Sequence, residues 1–184
     1  MNIIHFKNQF EFIEFLEINN QSDEGIWIKF DKRKSKDKLT PDQALKAALC
    51  YGWIDGQIKS LDDDFYLKYF TKRRNKSNWS ERNKKLANEL IANKLMKPSG
   101  FKEIEKAKKD GRWEKKDFEL KETAIEDFAQ LIKTYSLAYE NFKKMSPSVQ
   151  KTYATSYYYL KNESSRLSRL EKIIKRLEEN LKPM

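Results

Sequence analysis

Cysteine and histidine are almost missing from this 184-residue chain, which has Cys50 and His5 as its only examples. A single thiol closes no intrachain disulfide, so stability has to come from packing, and a reducing compartment, the cytoplasm, is the expected location. One imidazole leaves no histidine-based zinc site and no Ser-His-Asp arrangement, and neither metal nor other cofactor is expected. Glycine and proline are scarce too, with Gly 5 and Pro 4, roughly half the usual share. Turns are therefore few and helix should dominate. The phosphate-cradling patterns GxGxxG and Walker A, the zinc motif HExxH and the CxxC pair are all missing from the sequence. The longest apolar run, from Ala47 to Ile54, is far below the roughly 18 residues of a membrane span. The opening MNIIHFKNQFEF turns acidic too early for a secretory leader, so the sequons at Asn75, Asn78 and Asn162 carry no expected glycan.

What is plentiful is charge and aromatic surface. Lys and Arg number 38 against 28 Asp and Glu, giving a net +10 and a pI near 9.4, so the surface attracts polyanions. Charged residues reach 36%, against roughly a quarter in an average protein, a level that taken alone points to disorder. Trp 4, Tyr 9 and Phe 11 point the other way, because disordered polybasic chains lack bulky rings. The charge is uneven: residues 1–25 sum to −4, 72–85 to +6, 94–116 to +5 and 117–127 to −4.

Hydrophobic spacing predicts a helix over 8–19, with Asn8 and Glu11 as a capping box and Phe6, Phe10, Ile13 and Leu16 as its apolar stripe. Residues 25–31 alternate, with Ile26, Ile28 and Phe30 on one face of a strand and Trp27, Lys29 and Asp31 on the other. Thr40-Pro41-Asp42-Gln43 starts a second helix that Gly52 stops. Residues 53–61 and 65–71 read as a hairpin turning at Asp62–Asp64. From Ser77 onward the sequence predicts helices only, at about 80–94, 100–110, 123–133, 136–144, 147–161 and 165–181, with a capping box at Thr123 and Glu126 and joints at Ser136 and Ser146-Pro147. In the last of these, Leu167, Leu170, Ile173, Ile174, Leu177 and Leu181 form a stripe better suited to a core than to a zipper. The fold class expected is α+β: a small, mostly antiparallel three-stranded sheet with two helices (1–75, order αβαββ), followed by an all-helical half (76–184) packed on it as one compact unit.

Three segments carry the chemistry. In Ala47-Ala-Leu-Cys-Tyr-Gly-Trp-Ile-Asp-Gly56, strand alternation puts Trp53 and Asp55 on one face, and Gly56 lets another backbone or a ligand come close. In Thr71-Lys-Arg-Arg-Asn-Lys-Ser-Asn-Trp-Ser-Glu-Arg-Asn83, Arg73 and Arg74 leave the hairpin, and Ser77, Trp79 and Asn83 sit around the start of the next helix. Free N–H groups at a helix N-terminus beside two arginines suit an anion. In Lys109-Asp-Gly-Arg-Trp113, Arg112 and Trp113 follow a helix stop and can close the same region. The ligand-binding set is therefore Trp53, Asp55, Arg73, Arg74, Ser77, Trp79, Asn83, Arg112 and Trp113. A structural alternative stands beside it: the tryptophans also suit a core, and Asp55 can pair with Arg73 or Arg74 to fix the junction. Lys32–Lys38 is a second basic element, read as a solvated run or a phosphate-backbone contact. Tyr153, Tyr157, Tyr158 and Tyr159 read as packing against the last helix, and Cys50 as a buried small hydrophobe.

Taken in order, ALCYGWIDG, TKRRNKSNWSERN, Met96-Lys-Pro-Ser-Gly100, DGRW and Ser165-Arg-Leu-Ser-Arg169 resemble the bacterial YdeI/OmpD-associated, or bacteriocin-protection, family over about residues 5–180. The sequence departs from that family's pattern at Lys72, where a proline is usual, and at Lys94, where a glycine is common. The resemblance implies a small α+β protein grouped with frataxin-like folds and a role in antimicrobial tolerance. The acidic iron ridge of frataxins has no counterpart here, since Asp62–Asp64 is a short cluster in a basic chain. The expected function is non-enzymatic: stress or antimicrobial tolerance through a basic and aromatic site for an anionic ligand or an acidic protein surface. Two alternatives stay open. One is a single-stranded nucleic-acid binder, suggested by interleaved Arg, Lys and Trp. The other is an enzyme on a small anionic substrate, with Asp55 as general base and Arg73, Arg74 and Arg112 as clamps.

Overall fold

A computed structural model describes residues 2–33 and 38–183, and the chain separates into two compact units, Met1–Asp117 and Phe118–Met184. Positions 34–37 of the basic run expected at Lys32–Lys38 lie outside the described residues. Among those described, the chain forms eight helices and one mixed sheet of four strands in the spatial order β1 (Ile3–Ile4), β2 (Ile26–Asp31), β4 (Phe65–Lys72), β3 (Trp53–Ser60).

In the first unit, Asn8 caps α1 (Gln9–Asn19) by accepting from the Glu11 N–H at 3.1 Å. The Glu11 carboxylate reaches back to the Lys7 N–H at 2.8 Å, one residue earlier than the expected box. The buried stripe of α1 is Phe12 and Leu16, and Phe10 is two-thirds exposed, which corrects the stripe expected through Phe10. In Phe10-Glu-Phe-Ile-Glu-Phe15 apolar residues fall on every side of the helix, so spacing alone does not set the phase. Strand β2 (Ile26–Asp31) sends Ile26, Ile28 and Phe30 into the core as expected. Helix α2 (Pro41–Cys50) starts on a complete capping box between Thr40 and Gln43, and Gly52, at φ +76°, follows it in the left-handed region that favours glycine. The hairpin is β3 (Trp53–Ser60) and β4 (Phe65–Lys72).

The fourth strand corrects the three-stranded expectation. Strand β1 (Ile3–Ile4) runs parallel to β2, with Ile3 opposite Trp27 and Ile4 opposite Ile28. Two residues are too few to show alternation in a sequence, and only the pairing partner reveals them. Strand β4 pairs antiparallel with both β2 and β3, and the β3–β4 register slips between Asp55 and Ile58.

One core holds this unit. Phe12, Leu16, Ala44, Ala48, Ile28, Phe70 and Trp53 are buried together, and full burial of each large side chain stabilises by about 1.5–3 kcal/mol. Helix α3 (Glu81–Ala92) and helix α4 (Pro98–Lys109) bury Ala87, Leu90, Ile104 and Ala107 in that same core. The change from sheet to helix at residue 76 therefore falls inside the first unit. At Gly100 in α4 a Cβ would stand 2.8 Å from the Leu49 carbonyl oxygen, so α4 and the end of α2 touch backbone to backbone.

The second unit consists of α5 (Ala124–Leu131), α6 (Ser136–Lys144), α7 (Pro147–Tyr158) and α8 (Glu163–Glu178). Its core joins Phe128, Ile132, Phe142, Tyr153, Ile173 and Leu177. The α8 stripe is buried at Ile173, Ile174 and Leu177, whereas Leu167 and Leu181 are exposed. Thr123 makes no capping bond, because its own backbone is already helical (φ −77°, ψ −6°); its hydroxyl bonds Asp127 instead, which corrects the box expected with Glu126. Ser136 is the first residue of α6 and its cap position is Tyr135. Tyr153 is fully buried and donates to the Leu181 carbonyl at 2.7 Å.

Candidate functional site

The site lies where β4 leaves the sheet. The Arg73 N–H donates to the Gly52 carbonyl at 3.0 Å, which anchors the start of the connection to α3, and Ser77 N–H closes a turn on the Arg74 carbonyl at 3.1 Å. Lys76 in that turn has φ 65°, a left-handed backbone at a residue other than glycine. Ser80 then caps α3 by accepting from Asn83 N–H.

Three arginines meet at Ser77. Arg73 Nη1 donates to Ser77 Oγ and to the Asn78 carbonyl, both at 3.2 Å. Arg112 Nη1 donates to the Ser77 carbonyl, and its Nε and Nη2 hold Asp110, whose carboxyl is kept below its ordinary range by that hydrogen bonding. Arg74 supplies the carbonyl of the turn and sends its side chain to solvent. The aromatic residues stack behind them. The Arg73 guanidinium lies 3.7 Å from the centre of the Trp79 ring, and Trp79 meets Trp113 edge-on at 5.0 Å. Lys84 ties this cluster down: its Nζ donates to the carbonyls of Trp113 and Lys115, each at 3.0 Å, and to Glu81.

Next to Ser77 an open cleft of about 550 Å³ is lined by Asp55, Gln57, Tyr69, Lys72, Arg74 and Ser77, with Trp27, Ile54, Gly56 and Thr71 completing it. Trp27 and Tyr69 face each other across β2 and β4 at 5.1 Å. Lys72 Nζ is held by Asp23 and the Gln21 carbonyl, both at 3.2 Å, at the rim.

The nine residues expected to form one site are thus divided. Arg74 and Ser77 line the open cleft, and Asp55 borders it from the edge strand β3. Arg73 and Trp79 are buried behind it, with Arg112 and Trp113 packed around them. Asn83 belongs to the capped first turn of α3. Trp53 is fully buried in the core, edge-on to Phe15, with its indole N–H on the Asn20 carbonyl, so it is a core residue. The pairing of Asp55 with Arg73 or Arg74 is also corrected. Asp55 lies opposite Phe70 on the helix-covered face, and its ion-pair partner is Lys68, two places along β4 on that face. Sequence reasoning missed Trp27, Tyr69, Lys72 and Gln57. The first two are outward positions of separate strands, and what brings them together is the β2–β4 pairing, which no local pattern encodes. Cys50 is buried with its thiol pushed up to about 11 by desolvation. Among the described residues no cluster of three or more His, Cys, Asp or Glu could hold a metal, and no helix is long and apolar enough to cross a membrane.

Comparison with curated proteins and with solved structures gives no significant match. Two family models do match. Residues 4–103 match a domain of unknown function (DUF8412), a span that includes ALCYGWIDG, TKRRNKSNWSERN and the whole open cleft. Residues 125–180 match the family described as bacteriocin-protection, YdeI or OmpD-associated, a span that includes the Ser165–Arg169 motif and helices α6 to α8. The chain therefore belongs to the DUF8412 family, and its residues 125–180 are similar to the family described as bacteriocin-protection, YdeI or OmpD-associated.

Proposed function

We propose that this is a non-enzymatic tolerance protein of the YdeI/OmpD-associated type, which holds an anionic ligand or an acidic partner surface in the open cleft of its first unit. The observation that carries this reading is the composition of the cleft. Arg74 and Lys72 sit at its rim, the hydroxyls of Thr71 and Ser77 and the amide of Gln57 offer donors, and Trp27, Tyr69 and Ile54 supply an apolar floor. That combination suits an anionic group attached to a flat or apolar body. Arg73 and Arg112, bonded to either end of Ser77, add positive field behind the wall. The Asp55 carboxylate is engaged by Lys68, which speaks for binding over base catalysis. A net charge of +10 repels cationic peptides, so tolerance by direct sequestration of a basic bacteriocin is physically unfavourable, and an acidic partner is the better fit. The expected location is the cytoplasm.

Single-stranded nucleic acid is the second reading, favoured by paired aromatic rings between cationic rims. One titration tests both. Fluorescence anisotropy with a labelled oligothymidine and with a labelled acidic peptide compares Lys72→Ala plus Arg74→Ala against Lys151→Ala plus Lys161→Ala, two exposed lysines of the second unit. The cleft pair should lose about tenfold in affinity and the control pair less than about threefold. Equal losses would mean that net charge alone binds the probe, and the site reading would be abandoned.

A further inference from the structure

Among the described residues, the buried side-chain atoms without a hydrogen-bond partner are Arg73 Nε, Arg73 Nη2 and Trp79 Nε1. Arg73 is 4% exposed and Trp79 3%. Orphaned buried donors are rare, and these belong to two residues in direct contact, with the guanidinium 3.7 Å from the ring centre. The edge left open is a specific one. Nη1 is already used on Ser77 Oγ and the Asn78 carbonyl, so what remains is the Nε–Nη2 fork, the edge that grips an oxyanion with two parallel bonds.

Among the described residues no carboxylate bonds this cation directly. Glu103, whose field most favours a charged Arg73, has its carboxylate on Lys106 at 2.7 Å. Asp55 is held by Lys68, and Asp110 is held by Arg112, which itself adds positive charge beside Arg73. Burial lowers the Arg73 pKa to about 10, which leaves the group charged at neutral pH. A water molecule answers this poorly. The fork presents two parallel N–H groups, one on Nε and one on Nη2, and the indole adds another nearby, whereas a water oxygen has only two lone pairs and no charge. An oxyanion offers more acceptor sites and the missing negative charge.

We propose that the unpartnered Nε–Nη2 edge of Arg73 and the neighbouring Trp79 indole N–H recruit a small oxyanion, inorganic phosphate or a carboxylate, behind the Ser77 wall. The site does not depend on the reading of the open cleft, since neither residue lines that cleft. Ser77 and Asn78 hold one side of the guanidinium fixed and Trp79 closes one of its faces, so the fork is oriented before an anion arrives.

Thermal unfolding followed by circular dichroism, in rising sodium phosphate or sodium acetate with sodium chloride making up constant ionic strength, tests it. An anion bound only by the folded state raises Tm by mass action, by about 5 °C or more over two decades of concentration. The two arms tell phosphate from carboxylate. Arg73→Lys keeps the charge but loses the fork, and should abolish the specific rise. Trp79→Phe keeps the ring but loses the N–H, and should weaken the half-saturating concentration about tenfold; it carries the test if Arg73→Lys does not fold. Lys151→Ala, an exposed position of the second unit, should leave the rise intact. A rise lost in the cleft variant Arg74→Ala but kept in Trp79→Phe would place the anion in the open cleft and overturn the proposal. So would the same response in all variants, or a crystal grown in phosphate that shows only water on the fork.

Discussion

Replacing Asp55 separates a structural carboxylate from a catalytic one. The carboxylate pairs with Lys68, and the side chains are 22% and 14% exposed. They share the helix-covered face with Phe70, at the margin of the core. Truncating one partner of a fully buried pair costs roughly 3–5 kcal/mol, because the other charge is left uncompensated. Here both groups keep some contact with water, so screening reduces the cost to about 2 kcal/mol. In a unit of this size that corresponds to a fall in Tm of about 8 °C for Asp55→Asn. Lys68→Met should cost a similar amount. The double variant Asp55→Asn plus Lys68→Met removes both charges and should cost only about 1 kcal/mol, a coupling of about 3 kcal/mol in the cycle. Thermal unfolding of wild type and these three variants in one buffer measures all of it. An unchanged or raised Tm for Asp55→Asn would refute the structural role and reopen the case for a functional carboxylate.

Other perturbations have equally definite expectations. Lys84→Met strands two carbonyls and should cost about 2 kcal/mol, whereas the exposed Lys85→Met should fall within about 0.5 kcal/mol of wild type; chemical denaturation compares them. Gly100→Ala drives a Cβ against the Leu49 carbonyl and should destabilise by about 2–4 kcal/mol in the same assay. The Cys50 thiol titrates at about 11 in the fold against an ordinary value of 9.0, so its contribution to stability is complete below pH 9 and is lost as pH rises towards 11. Stability measured across that window should fall less steeply in Cys50→Ala. Wild-type Cys50 should stay unmodified by a neutral-pH thiol reagent until the protein is unfolded.

Elements with local signatures were readable from the sequence. The Thr40–Gln43 box, the Ile26-Ile28-Phe30 alternation, the Asp62–Asp64 turn and Pro147 each fix their own neighbourhood, and the elements they define stand where the spacing places them. What the sequence withheld depends on partners distant in the chain. Strand β1 exists only through its pairing with β2, the phase of α1 is chosen by the sheet it covers, and Asp55 finds Lys68 because β3 and β4 set their register. The site divides for the same reason. Arg73, Arg74 and Ser77 are neighbours in sequence and share one turn, yet whether a tryptophan beside them faces solvent or core is decided by packing, and Trp53 and Trp79 both turn inward.

The division into two units gives the molecule an optical asymmetry. Trp27, Trp53, Trp79 and Trp113 all belong to Met1–Asp117, while Phe118–Met184 has tyrosines and no tryptophan. Red-edge excitation therefore reads the environment of the first unit alone, and helical ellipticity reads both. In a single unlabelled sample, coincident curves would report cooperative melting of the whole chain, and separated curves would report independent folding of the part that carries the bacteriocin-protection match.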